Sequence, residues 1–197
     1  MRIVGIYSFN QGKEIITRQH SPQLEEVLQI IESVNAASCK IKVSKGKTRP
    51  DRAIYNPTAF VEAFTTAFAS RGWKNHDVIA TYSQDYYVPG YKTRVRQEQP
   101  LHREMDFIKD QLGVEVQFGK DSFGICNVCA NMTIFAKRGV IDCGIEIIPV
   151  EGLADEMLTE VSCFEQSVWD LEHRGISDID IPILILGIDT NTTEQNS

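Results

Sequence analysis

Long apolar runs are missing from this chain. The longest, from Ile181 to Gly187, contains Pro182 and falls far short of the roughly twenty residues needed to cross a bilayer. The opening residues, MRIVGIYS, carry no apolar stretch of signal-peptide length. The expectation is a soluble, cytoplasmic protein with no membrane partner. Cysteine is sparse and odd in number, five in all (Cys39, Cys126, Cys129, Cys143 and Cys163), so no disulfide framework is implied. Positive charge is in deficit: 20 Lys and Arg stand against 27 Asp and Glu, a net charge of −7. That excludes a uniformly basic nucleic-acid-binding surface, although a local basic cleft remains compatible with it. Internal repeats are absent as well. With 197 residues, 42% of them hydrophobic, the chain can fill one core. A single domain over 1–189 is expected, followed by a polar tail, 190–197, without fixed structure.

Among what is present, strand and helix signals alternate. Residues 2–8 form a first strand, and 9–20 are polar and loop-like. Ser21-Pro22 supplies a cap and a first-turn proline for a helix over 22–35, with Leu24, Val27, Leu28, Ile31 and Val34 at helical spacing. Asn56-Pro57 repeats that signal before Phe60, Phe64 and Phe68, and Gly72 is placed to end the helix. The segment 40–52 carries Lys40, Lys42, Lys45, Lys47, Arg49 and Arg52 around Gly46 and Pro50, which makes a mobile basic loop entered through a short strand. Such a concentration of cations on an acidic chain suits local steering of an anion, Lys45 and Lys47 included. Short strands follow over 78–82, 105–109, 114–118, 140–150 and 181–188. Helices follow from Ser122 to about 137, near 152–158 and over 163–173. The pattern predicts an α/β fold, a central mixed sheet flanked by helices. Phe60, Phe64, Phe68 and Trp169 are core by spacing. Cys126, Cys129 and Cys143 lack a second matched pair and fit small core residues better than a zinc site.

The stretch MDFIKDQLGVEVQFGK, 105–120, holds the chemistry. Alternate strand side chains share a face, so Glu115 and Gln117 point one way while Val114, Val116 and Phe118 point into the core. Asp106, on the preceding strand, can meet Glu115 across a short turn. Two converging carboxylates repel unless a cation lies between them, and hard divalent ions take such oxygens, with the Val116 carbonyl as a further donor. By spacing alone, a surface aspartate and a strand-edge glutamate in solvent explain the pattern better than a metal site, because two acids at this separation are common by chance.

The stretch D-x8-E-V-Q-F resembles the active-site signature of the PD-(D/E)xK nuclease superfamily, with Gln117 in place of the usual lysine. Glutamine at that position makes it similar to the BglII/BstYI-like type II restriction endonucleases, most of all to their BstYI-like members. The resemblance extends over most of the chain. It includes the opening MRIV-x2-YS, Lys45-x-Lys47-Thr48, PTAFVEAF followed by Gly72-Trp73-Lys74, and DFIKD at 106–110. It continues through VEVQFGK-x-SF at 114–123, Gly144 to Pro149, and Glu156-Met157. It is weakest over 75–104.

The resemblance implies a restriction-endonuclease-like fold and a homodimer enclosing a palindromic double-stranded DNA site with a GATC core, RGATCY or a subset of it. It implies one cut per strand, leaving four-nucleotide 5′ extensions, and Mg²⁺ as cofactor with Mn²⁺ able to substitute. Asp106, Glu115 and Val116 would hold the metal, and Gln117 would replace the catalytic lysine. A glutamine cannot act as a base, so the water's proton must go to solvent, a second metal or a phosphate oxygen. Lys120 takes the family position that helps choose the outer base pair, and a lysine can donate to guanine O6 and N7. Thr159 and Ser162 align with groove-facing positions, with Leu158 replacing a usual serine. Ser122 and Asn127 would contact phosphate or base edges, although Ser122 serves equally as a helix cap. Asn75 and His76 follow Trp73, where relatives place a group near the attacking water. A cognate DNA methyltransferase belongs to such a system without being a stable partner. Two alternatives stay open: a repair or structure-specific nuclease of the same fold, and a non-catalytic DNA-binding module.

Overall fold

The computed structural model describes residues 1–40, 42–43, 53–79, 87–90, 102–119, 124–157, 161–173 and 181–190. Most of the basic segment 40–52 therefore lies outside the described residues, as does most of 190–197. The chain runs β1 (Arg2–Phe9), α1 (Gly12–Gln19), α2 (Ser21–Ser33), a 3-10 turn (Ala36–Cys39), β2 (Lys42–Val43), β3 (Ala53–Ile54) and α3 (Pro57–Ser70). It continues with β4 (Lys74–Ile79), β5 (His102–Lys109), β6 (Leu112–Val116), α4 (Gly124–Lys137), β7 (Cys143–Pro149), α5 (Glu151–Ala154), α6 (Phe164–His173) and β8 (Ile183–Asp189). Six strands form one mixed sheet in the order β1-β8-β7-β6-β5-β4. The pairs β6–β7 and β7–β8 are parallel, and the other three are antiparallel. The short strands β2 and β3 pair separately.

Both faces of the central strands are buried, which is why β7 and β8 are nearly all apolar. Alternation divides them between two cores. Cys143, Ile145, Ile147, Leu184, Leu186 and Ile188 join Val27, Ile30 and Ile31 of α2 and Phe60, Phe64 and Phe68 of α3. Ile148, Ile183 and Ile185 join Val128, Cys129, Met132 and Phe135 of α4 and Leu171 of α6. Phe60 stacks on Phe118, ring centroids 4.8 Å apart, and so ties α3 to the end of β6. Gly144 lets α4 sit close on β7: a Cβ there would fall 2.3 Å from the Met132 sulfur, and that side chain would have to shift. Cys129 and Cys143 belong to opposite cores, which rules out one ion shared by them.

Three sequence expectations are corrected. Residues 12–19 are a helix, α1, not loop: Gln11 enters it in a left-handed conformation, and Gly12 and Ile16 are buried. Its sequence has almost no apolar stripe, and packing against β8 supplies what propensity does not. Ser21 is the first residue of α2 and not its cap. His20 takes the cap position without a side-chain cap bond, and its ring Nε2 instead meets Asp142 Oδ1 at 2.9 Å. Trp169 is 58% exposed. It stacks on His173, while α6 buries Ser167, Asp170 and Leu171. By contrast, Asn56 caps α3 by accepting from the Thr58 N–H. Among the described residues no helix is long and apolar enough to cross a membrane.

Candidate active site

The site begins as a tight hairpin. Lys109 pairs with Leu112, leaving Asp110 and Gln111 as a two-residue turn, both with positive φ (48° and 65°). Two left-handed residues in succession match the right-handed twist of the strands that follow. The turn is pinned to α2 and α3. Lys109 Nζ donates to both Glu26 oxygens at 2.8 and 2.7 Å and to the Arg71 carbonyl at 3.0 Å. Trp73 Nε1 donates to Glu26 as well, and Gln23 to Asp110. The Lys109 ammonium is the main cause that holds the Glu26 carboxyl below its ordinary range.

Pairing of β5 with β6 extends to Phe107 opposite Val114. One step further the same register sets Asp106 opposite Glu115. There Asp106 leaves the ladder, and its Oδ2 accepts the Val116 N–H at 2.9 Å. Val114, Val116 and Phe118 are buried on the α3 side, so Glu115 and Gln117 face the α4 side. The Gln117 N–H is held by the Ile147 carbonyl at 2.9 Å.

Helix α4 lies over this face and contributes a group that sequence reading missed. Asn131 Nδ2 donates to Glu115 Oε1 at 2.9 Å and to the Glu104 carbonyl at 2.7 Å. Its only sequence signal is a polar residue at the edge of the buried stripe Val128, Cys129, Met132, Phe135. Glu146 was missed as a site residue too. It sits in β7 directly opposite Glu115, is fully buried, and neither of its carboxylate oxygens has a hydrogen-bond partner. An acid inside the isoleucine-rich run Gly144–Pro149 was the available sign.

These acids are held away from water. Burial first, then the charge of Asp106, pushes the Glu115 carboxyl up to about 9. Burial also raises Asp106, opposed by its bond from the Val116 N–H. Burial alone pushes Glu146 up to about 8. Without a cation Glu115 and Glu146 thus hold protons at neutral pH, and Asp106 and Glu115 hydrogen-bond each other. Carboxylates that converge in a buried place, with oxygens left unpartnered, fit a hard divalent cation.

A stability prediction follows. The unfolded chain releases these protons near pH 4.5, whereas the folded chain keeps them to about pH 8 for Glu146 and 9 for Glu115. Between those limits the folded state binds more protons, so stability falls as pH rises. In EDTA, Tm is expected to drop between pH 6 and pH 8.5, and the drop is expected to be shallower in Glu146→Gln. Parallel profiles for the two proteins would contradict this.

Of the other predicted residues, Ser162 lies just ahead of α6, and Asn127 lies in α4. Asn75 donates to Glu104 Oε1 at 2.9 Å, and His76 meets the Phe135 ring edge-on, centroids 6.0 Å apart. Lys45, Lys47, Lys120, Ser122 and Thr159 fall outside the described residues. One further cluster of ligand-type groups, His20, Asp142 and Cys143, is joined internally: the Cys143 thiol and the His20 ring both meet Asp142 Oδ1.

Two solved structures share this architecture. Free BglII aligns with a TM-score of 0.60 at 19% identity, covering 98% of this chain and 82% of that one. BglII complexed with a DNA 16-mer aligns with a TM-score of 0.68 at 20% identity, covering 98% and 81%. The fold is therefore that of a restriction endonuclease, a mixed sheet flanked by helices. A family model described as "Restriction endonuclease BglII/BglIII" matches residues 4–188, and the chain belongs to that family of type II site-specific nucleases. No curated protein sequence matches it. Enzymes of this kind generally use divalent metal ions.

Proposed function

We propose that this protein is a dimeric enzyme that cuts double-stranded DNA at a palindrome with a GATC core, RGATCY or a subset, leaving four-nucleotide 5′ overhangs. The observation that carries the reading is the convergence of Asp106 and Glu115 on one hairpin of a chain in this family. The cation would be Mg²⁺, with Mn²⁺ able to substitute, held by the Asp106 and Glu115 carboxylates and the Val116 carbonyl. The chemistry such a cation supplies when bound is positive charge at the scissile phosphate and acidification of water.

The chain's own residues do the rest. Asp106 and Glu115 must give up the proton they share before they can act as ligands. Asn131 holds one Glu115 oxygen in place. The Val116 N–H donates to the Asp106 carboxylate from the backbone, so turning that carboxylate away would leave the N–H without this bond. Gln117 has an amide only. It orients water or a phosphate oxygen by hydrogen bonding and takes no proton, so deprotonation falls to a group outside this residue. Lys120, Thr159, Ser162 and Ser122 are proposed to read or position the DNA, with Lys45 and Lys47 on the phosphates, where binding would weaken steeply with salt. A two-fold protein would match the two-fold symmetry of the palindrome.

The test is incubation of purified protein with unmethylated plasmid DNA and Mg²⁺, followed by sequencing of the ends. Discrete fragments with 5′-GATC overhangs are expected, and the neighbouring base gives the outer pair. A smear would favour a nuclease without site specificity. No cleavage, with duplex binding retained, would leave a binding module.

A further inference from the structure

The sheet order places β6 between β5 and β7. Glu115 therefore has an acidic neighbour on each side, Asp106 on β5 and Glu146 on β7. Adjacent strands lie about 4.8 Å apart, and residues in register on parallel strands point to the same face. Gly144 and Ile148, two positions either side of Glu146, pack on the α4 side, which fixes the Glu146 carboxylate on the face that carries Glu115. Its residue is 0% exposed, and both its oxygens are unpartnered. The Asn131 Oδ1, on the side chain that grips Glu115, is likewise buried without a partner.

Three buried acceptors left unpaired around one carboxylate are costly. Buried polar atoms are otherwise hydrogen-bonded, and buried charges are paired or coordinate metals. A purely structural role gives no reason for an acid here, since an apolar residue would pack the same space at lower cost. Asp106, Glu115 and Glu146 do not form a single group with all ligand atoms within 4.8 Å of one another. A lone ion touching all three is thus not what the arrangement offers. Its shape is a central carboxylate flanked on two sides.

We propose that Glu146 is a cation ligand, and that Glu115 bridges two cation positions, one shared with Asp106 and one with Glu146. The inference rests on the reading of Asp106 and Glu115 as metal ligands given above.

The test counts Mn²⁺ bound per chain by electron paramagnetic resonance of free Mn²⁺ in metal-depleted protein. It compares wild type with Glu146→Gln, Glu146→Met, Asp106→Asn and Glu115→Gln. Circular dichroism and Tm confirm that each variant folds; Glu146→Met guards against a packing artefact, because it fills the space without a polar atom. Two ions are expected for wild type. One is expected for either Glu146 variant, the remaining ion keeping its affinity within threefold. Glu115→Gln should weaken both by tenfold or more. If both Glu146 variants bind Mn²⁺ as wild type does, in number and affinity, the inference is overturned while losses in Asp106→Asn and Glu115→Gln leave the hairpin site standing. If those two variants also bind as wild type, the hairpin site itself is lost.

Discussion

Asp106→Asn and Glu115→Gln are each expected to lower DNA cleavage on the order of a thousandfold or more while leaving the fold intact. Both changes are isosteric. Asparagine at 106 still offers an oxygen to the Val116 N–H, and glutamine at 115 still offers one to Asn131, so the local ladder geometry survives. What disappears is negative charge. A bound metal typically supplies several kcal/mol of transition-state charge stabilisation, and three orders of magnitude in rate correspond to about 4 kcal/mol. Duplex binding should persist in both, because removing a carboxylate lessens repulsion of phosphate. The metal-free variants should also melt higher than wild type near pH 8, because each removes a buried acid. Quantitative plasmid cleavage, with Tm and gel-shift controls, decides the matter. Cleavage within tenfold of wild type in either variant would refute the assigned roles.

Gly12→Ala carries the largest expected effect on stability. Helix propensity alone argues for a gain of up to about 1 kcal/mol. Packing argues the reverse, and with greater weight. A Cβ at position 12 would stand 2.1 Å from the Ile183 carbonyl oxygen and 2.2 Å from its carbon. Both atoms are backbone, and β8 is paired on both flanks, to β1 and β7, so the strand cannot yield. Helix α1 must lift off the sheet, at a cost of about 3 kcal/mol or more. Gly152→Ala is the control: its Cβ meets nothing within 4 Å, and a change of no more than about 1 kcal/mol, in the stabilising direction, is expected there. Urea midpoints for the two proteins should diverge clearly. A Gly12→Ala midpoint at or above wild type would show that α1 is not seated as described.

Much of this was legible in the sequence, for local reasons. Asn56-Pro57 and the four-residue spacing of Phe60, Phe64 and Phe68 specify α3 without help from elsewhere. The alternation of Val114, Val116 and Phe118 against Glu115 and Gln117 gives β6 and its two faces, and nearness in sequence gives the meeting of Asp106 with Glu115. What stayed hidden depends on distant partners. Helix α1 is short and mostly polar, burying only Gly12 and Ile16, and exists because Gly12 lets it press on β8. Strand β4 begins at Lys74, earlier than its apolar residues suggest, because pairing with β5 sets its limits. Asn131 and Glu146 became site residues only through the crossover that brings α4 and β7 back beside β6. Trp169 failed through the opposite error, an aromatic assumed inside that the orientation of α6 turns outward.

The two-residue turn at Asp110 and Gln111 also has a meaning in time. Closing so small a loop costs little chain entropy, so the strands bearing Asp106 and Glu115 can meet early in folding. The parallel pairing that delivers Glu146 must wait for the whole α4 segment to be laid down. The site is thereby assembled in two stages, an acid pair first and its third carboxylate last. A nascent chain holding only the first stage has two of the three proposed ligands, and the finished sheet is needed before the third joins them.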